Sequence, residues 1–186
     1  RPLVFADNDR PGIMLAGAAR AYLNRHAVSA GERVLIFTNN DDAYRTALDL
    51  NAAGIVVPAV VDLRDDPQGP LPRRAREAGI EILRSHGVVG TKGRLRVREA
   101  RVAPLSGDTL AGPVRAIPCD AIAMSGGWNP AVHLFSQGRG KLRFEEARGI
   151  FLPGEAIQAN RSAGACNGAF SLAACLAEGA EAGAQA

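Results

Sequence analysis

Residues 33–63 constrain the fold more than any other stretch. Arg33-Val34-Leu35-Ile36-Phe37 is a short apolar run, as expected of a strand covered on both faces. Asp41 to Ala53 follows with helical periodicity: Ala43, Ala47, Leu48 and Leu50 are apolar, and Gly54 supplies a C-terminal stop. Ile55 to Leu63 (Ile-Val-Val-Pro-Ala-Val-Val-Asp-Leu) reads as a second buried strand. Strand, helix and strand within about thirty residues make a βαβ unit. Its strands should be parallel, with a right-handed crossover.

The flanks extend this unit. Ile13 to Arg25 reads as a helix, with Ile13-Met14-Leu15, Ala18-Ala19 and Tyr22-Leu23 on one face. Pro72 to Ala78 reads as a short basic helix ending at Gly79. Ile80–Leu83, Val88–Val89, Leu95–Val102 and Val114–Ile117 are short and partly alternating, with Gly, Ser and Lys turns between them. They predict an antiparallel meander attached to the parallel sheet. Ala121 to Met124 is a further buried strand running into Ser125-Gly126-Gly127-Trp128. Residues 131–148 look loop-rich. Gly149 to Leu152 predicts a last strand, followed by Pro153-Gly154-Glu155-Ala156. A helix is expected from Asn167 or Gly168 to about Glu178, with a fraying tail over 178–186. The fold class is α/β: a Rossmann-like parallel sheet, an antiparallel β-meander, and the returning segment of a second dinucleotide-binding domain. The expected division is 1–30 as a connecting segment and helix, 31–124 as an inserted NAD(P)-type domain, and 125–186 as the returning half.

Composition removes several classes of function. Of the 186 residues 47% are hydrophobic, as in folded domains, and Lys+Arg exceed Asp+Glu only by 22 to 19. That small, interspersed excess with 5% aromatics gives no basis for nucleic-acid binding. No apolar run approaches the ~20 residues that cross a bilayer, so no membrane role is expected. Cys119, Cys166 and Cys175 sit in apolar or small-residue settings without CxxC spacing. They read as reduced, buried thiols of an intracellular, cytoplasmic protein, with no metal site. Arg1-Pro2-Leu3-Val4-Phe5 opens abruptly, without Met or a targeting pattern, and reads as a piece of a longer chain.

Two places could hold a nucleotide. In the βαβ unit, the positions of the G-x-G-x-x-G/A fingerprint carry Thr38, Asn40 and Ala43, and only the last is compatible. Asp41 and Asp42 in the first helical turn should cap free N–H groups and favour the helix dipole, and would repel a pyrophosphate. Asp62, at the end of the second strand, stands where an acid accepts hydrogen bonds from a ribose, with Arg64 nearby. The weight of this falls on a scaffold without phosphate grip. The second place is the pair of strand-to-glycine turns at 125–130 and 149–156. There Glu155 could accept from a sugar hydroxyl, and Gly164 to Ala169 could offer helix N–H groups to phosphate. His26, His86 and His133 have no visible Ser or Cys partner, and no residue is assigned a catalytic role.

The terminal strand Gly149-Ile150-Phe151-Leu152-Pro153-Gly154-Glu155 with its following helix resembles the last flavin-contacting segment of flavoprotein reductases with two dinucleotide domains. That segment normally has Asp where Glu155 stands. More specifically, Asp9-Arg10-Pro11-Gly12-Ile13-Met14, Phe37-Thr38-Asn39-Asn40-Asp41 and Gly127-Trp128-Asn129-Pro130-Ala131-Val132-His133-Leu134-Phe135-Ser136-Gln137 resemble the alpha subunits of heterotetrameric sarcosine oxidases. The likeness spans essentially the whole chain.

The resemblance implies a cofactor-holding segment of an enzyme that oxidises sarcosine with oxygen to glycine, peroxide and a folate-bound one-carbon unit. It implies NAD in the first dinucleotide site, FAD and FMN in the wider complex, tetrahydrofolate in another domain, and beta, gamma and delta subunits as partners. Carried over residue by residue, the partial NAD contacts are Gly154, Glu155, Ala156, Gly164, Ala165, Asn167, Gly168, Ala169 and Phe170. Two alternatives stand beside it: a subunit of an FAD-dependent opine or secondary-amine dehydrogenase, and a ligand-free subunit-docking module.

Overall fold

A computed structural model describes residues 1–185, and these divide into two compact units, Arg1–Gly127 and Trp128–Ala186. Unit 1 is built on a five-stranded parallel sheet of order β1-β9-β2-β3-β4. Its strands are β1 (Ile13–Leu15), β2 (Val34–Thr38), β3 (Val60–Asp62), β4 (Ile82–Arg84) and β9 (Ala121–Ser125). β2 is buried at every residue, as its unbroken apolar run requires. β2 and β3 pair in parallel through Ile36–Val60, Phe37–Val61 and Thr38–Asp62. The helix between them, α2 (Asp42–Ala52), buries Ala43, Tyr44, Ala47 and Leu50. Gly54, at φ +77°, ends it with an N–H donated to Asn51 O.

The sheet's two faces carry two cores. Ala16, Ala19, Val34, Ile36, Tyr44, Leu50, Val60 and Ala75 form one, under α1 (Ala16–His26), α2 and α3 (Pro70–Glu77). Phe5, Leu35, Phe37, Val61, Val97, Val102 and Ile122 form the other, under the meander. The meander is antiparallel, as its alternation predicts. β5 (His86–Lys92) and β8 (Arg115–Pro118) flank β6 (Glu99–Ser106), which also pairs with β7 (Thr109–Leu110).

Three expectations for unit 1 are corrected. Ile13-Met14-Leu15 is not a helical turn but the edge strand β1, in register with Ile122-Ala123-Met124 of β9. Gly12, at φ +99°, makes the turn into it. Ile82–Arg84 is a strand of the parallel sheet, beside β3, and the meander begins only at His86. The strand expected over 55–63 is regular only at Val60–Asp62. Pro58 offers no N–H to the ladder, and before it the pairing is a single bridge, Arg33 to Val56.

Unit 2 holds α4 (His133–Gln137), β10 (Leu142–Glu145), β11 (Ile150–Pro153) and α5 (Leu172–Ala184). Residues 131–148 are therefore not the expected loop. The strand expected at Gly149–Leu152 runs over Ile150–Pro153, and β11 pairs antiparallel with β10, with Phe144 opposite Phe151. α5 starts at Leu172, capped by Ser171 Oγ, which accepts from the N–H of Ala174. A 3-10 turn over Gly164–Asn167 precedes it. The helix runs on to Ala184, so the tail expected to fray from 178 is helical there; Ala186 lies outside the described residues.

Candidate functional site

In an open parallel sheet the ligand crevice lies at the carboxyl ends of the strands, where strand order reverses. Here the chain leaves β2 outward to β3 and β4, whereas β9 and β1 lie on its other side. The crevice therefore falls between Thr38-Asn39-Asn40 after β2 and Ser125-Gly126-Gly127 after β9.

The chain's own groups stitch that crevice closed. The Thr38 hydroxyl lies 3.0 Å from Asn40 O and 3.1 Å from Ser125 O, and accepts from the Asn40 N–H at 3.1 Å. Asn40 Nδ2 donates to Ser125 O at 2.9 Å and reaches its Oγ at 3.1 Å. Asn40 Oδ1 accepts from the Asp42 N–H at 3.1 Å. This corrects the expectation that Asp41 and Asp42 cap the helix: the Asp41 side chain makes no capping bond, and Asn40 does that work. Gly126 donates to Arg1 O at 2.7 Å. A Cβ at Gly126 would stand 3.0 Å from Pro2 O and 3.1 Å from Arg1 O, so the opening segment lies against the backbone a ligand would approach.

The end of β3 is closed by charge. Asp62 is fully buried and all its acceptor capacity is used. Oδ1 accepts from the Arg64 N–H at 3.0 Å and Nε at 3.1 Å. Oδ2 accepts from Tyr44 Oη and Arg64 Nη2, each at 2.8 Å. Arg64 Nη1 lies 2.8 Å from Asp41 Oδ1. Burial, then the Asp62 charge, push the Tyr44 hydroxyl far above its ordinary range, so it stays a donor. Burial works against the Arg64 charge, but the hydrogen bonds it donates to Asp62 and Asp41 hold the guanidinium protonated more firmly than usual. Two carboxylates against one guanidinium leave the cluster anionic. Asp62 thus has no lone pair for a ribose, the helix N-terminus faces a carboxylate, and the fingerprint glycines are absent. These residues do not fit a dinucleotide. Tyr44 is the member that sequence reasoning missed; its signal was a tyrosine on the inner face of α2, three residues after Asp41.

The second candidate divides differently from its sequence reading. Ser125-Gly126-Gly127 belongs to unit 1 and the 149–156 turn to unit 2. Within unit 2, the Gly154 N–H donates to Lys141 O at 3.0 Å, and Glu155 O accepts from the Lys141 N–H at 2.9 Å. The Glu155 carboxylate is 78% exposed, with Lys141 Nζ 4.0 Å away, and Ala156 is exposed.

The 164–170 turn is bonded partly to itself, partly to α5, and through Gly168 O to Arg148 Nη1 at 2.8 Å. Gly164 donates to Glu178 Oε2 at 2.8 Å, Gly168 to Ala165 O at 3.2 Å, and Ala169 to Gly164 O at 3.1 Å. Asn167 Nδ2 reaches Glu178 Oε2 at 3.2 Å. These groups are not the helix N-terminus expected of them. That lies at Leu172, where the first-turn N–H groups of Leu172 and Ala173 have no helical acceptor. Phe170 is partly exposed beside it. The chemistry that remains is an exposed carboxylate suited to paired hydroxyls and a helix end suited to phosphate. Elsewhere, His26 packs on Tyr22, His86 Nδ1 lies 2.6 Å from Arg84 O, and Cys166 Sγ donates to Ala163 O at 3.0 Å.

Comparison with known proteins follows these lines. No family model matches the chain. It is 41% identical over its whole length to sarcosine oxidase subunit alpha of Corynebacterium sp. (strain P-1). It is 40% identical, over 97% of its length, to the subunit of the same name from Rhizobium meliloti (strain 1021). The chain is homologous to a segment of sarcosine oxidase subunit alpha. It spans only 19% and 17% of the length of these two relatives. Among solved structures, a T. acidophilum thioredoxin reductase superposes with TM-score 0.72 at 15% identity, covering 98% of this chain and 60% of that one. A Lactococcus lactis thioredoxin reductase gives 0.65 at 17%, covering 100% and 61%. The chain shares the Rossmann-like α/β fold of these reductases. The residues separating this chain from a nucleotide-binding βαβ unit are Thr38, Asn40, Asp41 and Arg64.

Proposed function

We propose that the chain is a cofactor-holding segment of a sarcosine oxidase alpha subunit, an oxidoreductase acting on a CH–NH donor, and carries no catalytic residue of its own. The observation that carries this is the 41% identity along the whole chain to a protein of that name. In this reading the complete enzyme demethylates sarcosine oxidatively, giving glycine, peroxide and a one-carbon unit passed to tetrahydrofolate. FAD and FMN supply the electron chemistry when bound, and beta, gamma and delta subunits complete the assembly in the cytoplasm. Unit 1 is then the inserted second dinucleotide-type domain, kept as a scaffold. Unit 2 returns to the first domain and contributes part of a NAD site.

The donor set of unit 2 fits NAD. Glu155 would accept from ribose hydroxyls, with Gly154 and Ala156 shaping the backbone around it. The 164–170 turn would bring Phe170 and the start of α5 toward the pyrophosphate; within it Gly164, Ala165, Asn167, Gly168 and Ala169 set the path of the chain. The test uses the complete complex. NAD released by acid should be found at one per alpha subunit, and Glu155→Ala should lower its retention at least tenfold. Full NAD occupancy in a Glu155→Ala complex would remove Glu155 from the site. A complex with no NAD would overturn the cofactor assignment itself.

A further inference from the structure

The turn at 164–169 is fastened to α5 by one face of that helix. Cys175 Sγ donates to Ala169 O at 3.1 Å. A Cβ at Gly164 would meet Cys175 Sγ at 3.5 Å, so the turn already lies against that residue. One helical turn further on, Glu178 Oε2 accepts from the Gly164 N–H at 2.8 Å and from Asn167 Nδ2 at 3.2 Å. Residues three apart share a helix face, so Cys175 and Glu178 clasp the turn together. Gly164 is held at φ +73° and Gly168 at φ +90°. Both are left-handed conformations that glycine adopts without a Cβ penalty. The Glu178 carboxylate also lines a small polar cavity of ≈ 190 Å³ with Arg161, Ser162, Asn167 and Glu181.

We propose that Glu178 is a positioning residue: its carboxylate fixes the 164–167 turn and thereby sets where Phe170 and the first N–H groups of α5 stand. It acts through Gly164 and Asn167 and touches no cofactor. The alternative is a competitor, an anion seated where a phosphate oxygen belongs. The two differ in sign. A clasp that is lost lets the turn wander and weakens NAD retention; a competitor that is lost strengthens it. The proposal rests on the NAD reading for its functional effect, but the clasp itself can be observed without NAD.

The experiment uses the complete complex carrying Glu178→Ala or Glu178→Gln. Amide hydrogen exchange comes first. Glu178→Ala should remove protection at Gly164 by at least tenfold while the α5 amides after Cys175 keep theirs. Glu178→Gln, whose side-chain oxygen still accepts, should keep most of it. NAD dissociation is then timed by dilution. Glu178→Ala should release NAD at least about tenfold faster, as expected for loss of the two hydrogen bonds its carboxylate accepts, and Glu178→Gln should stay within about threefold of the parent. Unchanged Gly164 exchange in Glu178→Ala would overturn the clasp. Slower NAD release in both variants would make Glu178 a competitor and overturn the positioning role. A parent complex without NAD, with Gly164 exposed in Glu178→Ala, would sink the NAD reading and leave the clasp standing.

Discussion

At the residue scale the most consequential group is Asp62. A buried carboxylate is tolerated only when its charge and lone pairs are met, and Arg64 and Tyr44 meet them here. Removing one partner strands the charge, which is costlier than the pair is worth. Arg64→Ala should therefore destabilise the protein by about 3–5 kcal/mol, and Tyr44→Phe by about 1–3 kcal/mol. Both are read from chemical denaturation midpoints at pH 7. A loss below about 0.5 kcal/mol for Arg64→Ala would show that Asp62 does not depend on it.

Cys119 is a second residue-scale case. Burial, more than the nearby Asp120 charge, pushes its thiol up to about 11. The folded state thus holds the thiol proton more tightly than the unfolded chain does. Its share of stability is fully present below pH about 9, the range of a free thiol, and is lost as pH rises through about 11. At pH 8, alkylation of the native protein should reach Cys166 and Cys175, both partly exposed, well before Cys119. Equal rates at all three would contradict the buried setting.

At the element scale, what could be read from sequence depended on length and isolation. β2, α2 and β9 were legible because each has a long enough pattern and a clear stop. β1 was not, because Ile13-Met14-Leu15 runs straight into an alanine-rich helix and its apolar residues satisfy the helical period as well. Only pairing with β9 makes it a strand, and pairing is not a local property. β4 was misplaced for the same reason: three residues cannot say which sheet they join. The start of α5 was missed because Gly168 looked like an opening residue, whereas Ser171 carries the cap.

Helix α1 is tied to α2 through Thr46, whose hydroxyl donates to Ala16 O at 3.2 Å, and through Asp49. Arg20 Nε donates to Asp49 Oδ2 at 2.6 Å, and Asn24 Nδ2 to the same oxygen at 2.8 Å. Burial alone would raise the Asp49 carboxyl, but these bonds and the Arg20 charge hold it below its ordinary value. A depressed carboxyl contributes stability above its unfolded pKa, near 4, and loses it as pH falls further. The pair is partly exposed, so about 0.5–1 kcal/mol is expected. Asp49→Asn should lower Tm at pH 7, and the gap to the parent should close by pH 2–3. A gap independent of pH would mean that packing, not charge, joins the helices.

At the scale of the whole molecule, the two units differ in how much they bury. Unit 1 has apolar cores on both faces of its sheet. In unit 2 the large buried apolar side chains are Phe135, Ile150 and Leu152. α5 buries none of its residues, and Leu172 is 76% and Leu176 65% exposed. Phe144 and Phe151, with ring centroids 5.1 Å apart, are also exposed. So small a core cannot offset the ordering of about sixty residues. Residues 1–127 expressed alone should unfold in one cooperative transition, whereas 128–186 alone should show no cooperative transition and should bind a hydrophobic dye. A sharp melt from 128–186 would mean that its core is larger than its burial implies.

The closed crevice between β2 and β9 decides whether unit 1 is a scaffold or a site. The sequence showed that the fingerprint glycines were gone. It could not show that Asn40 and Thr38 had taken their space, or that Asp41 and Asp62 share Arg64, since those bonds join strands far apart in the chain. Asn40→Gly with Asp41→Gly removes the bonds from Asn40 to Ser125 and one of the two carboxylates. Nucleotide affinity at this second site should then appear or rise in calorimetry on the complete subunit, with NAD in excess of the first site. The gain should be small, because Asp62 stays buried against Arg64 and Tyr44. Unchanged NAD affinity would mean that repulsion by Asp41 is not what keeps the site empty, and that the glycine-free backbone or the segment beside Gly126 closes it instead. Tight NAD binding by the parent subunit at both sites would be a different outcome. It would require the stitched turn to open around a pyrophosphate, and unit 1 would then be a working nucleotide domain.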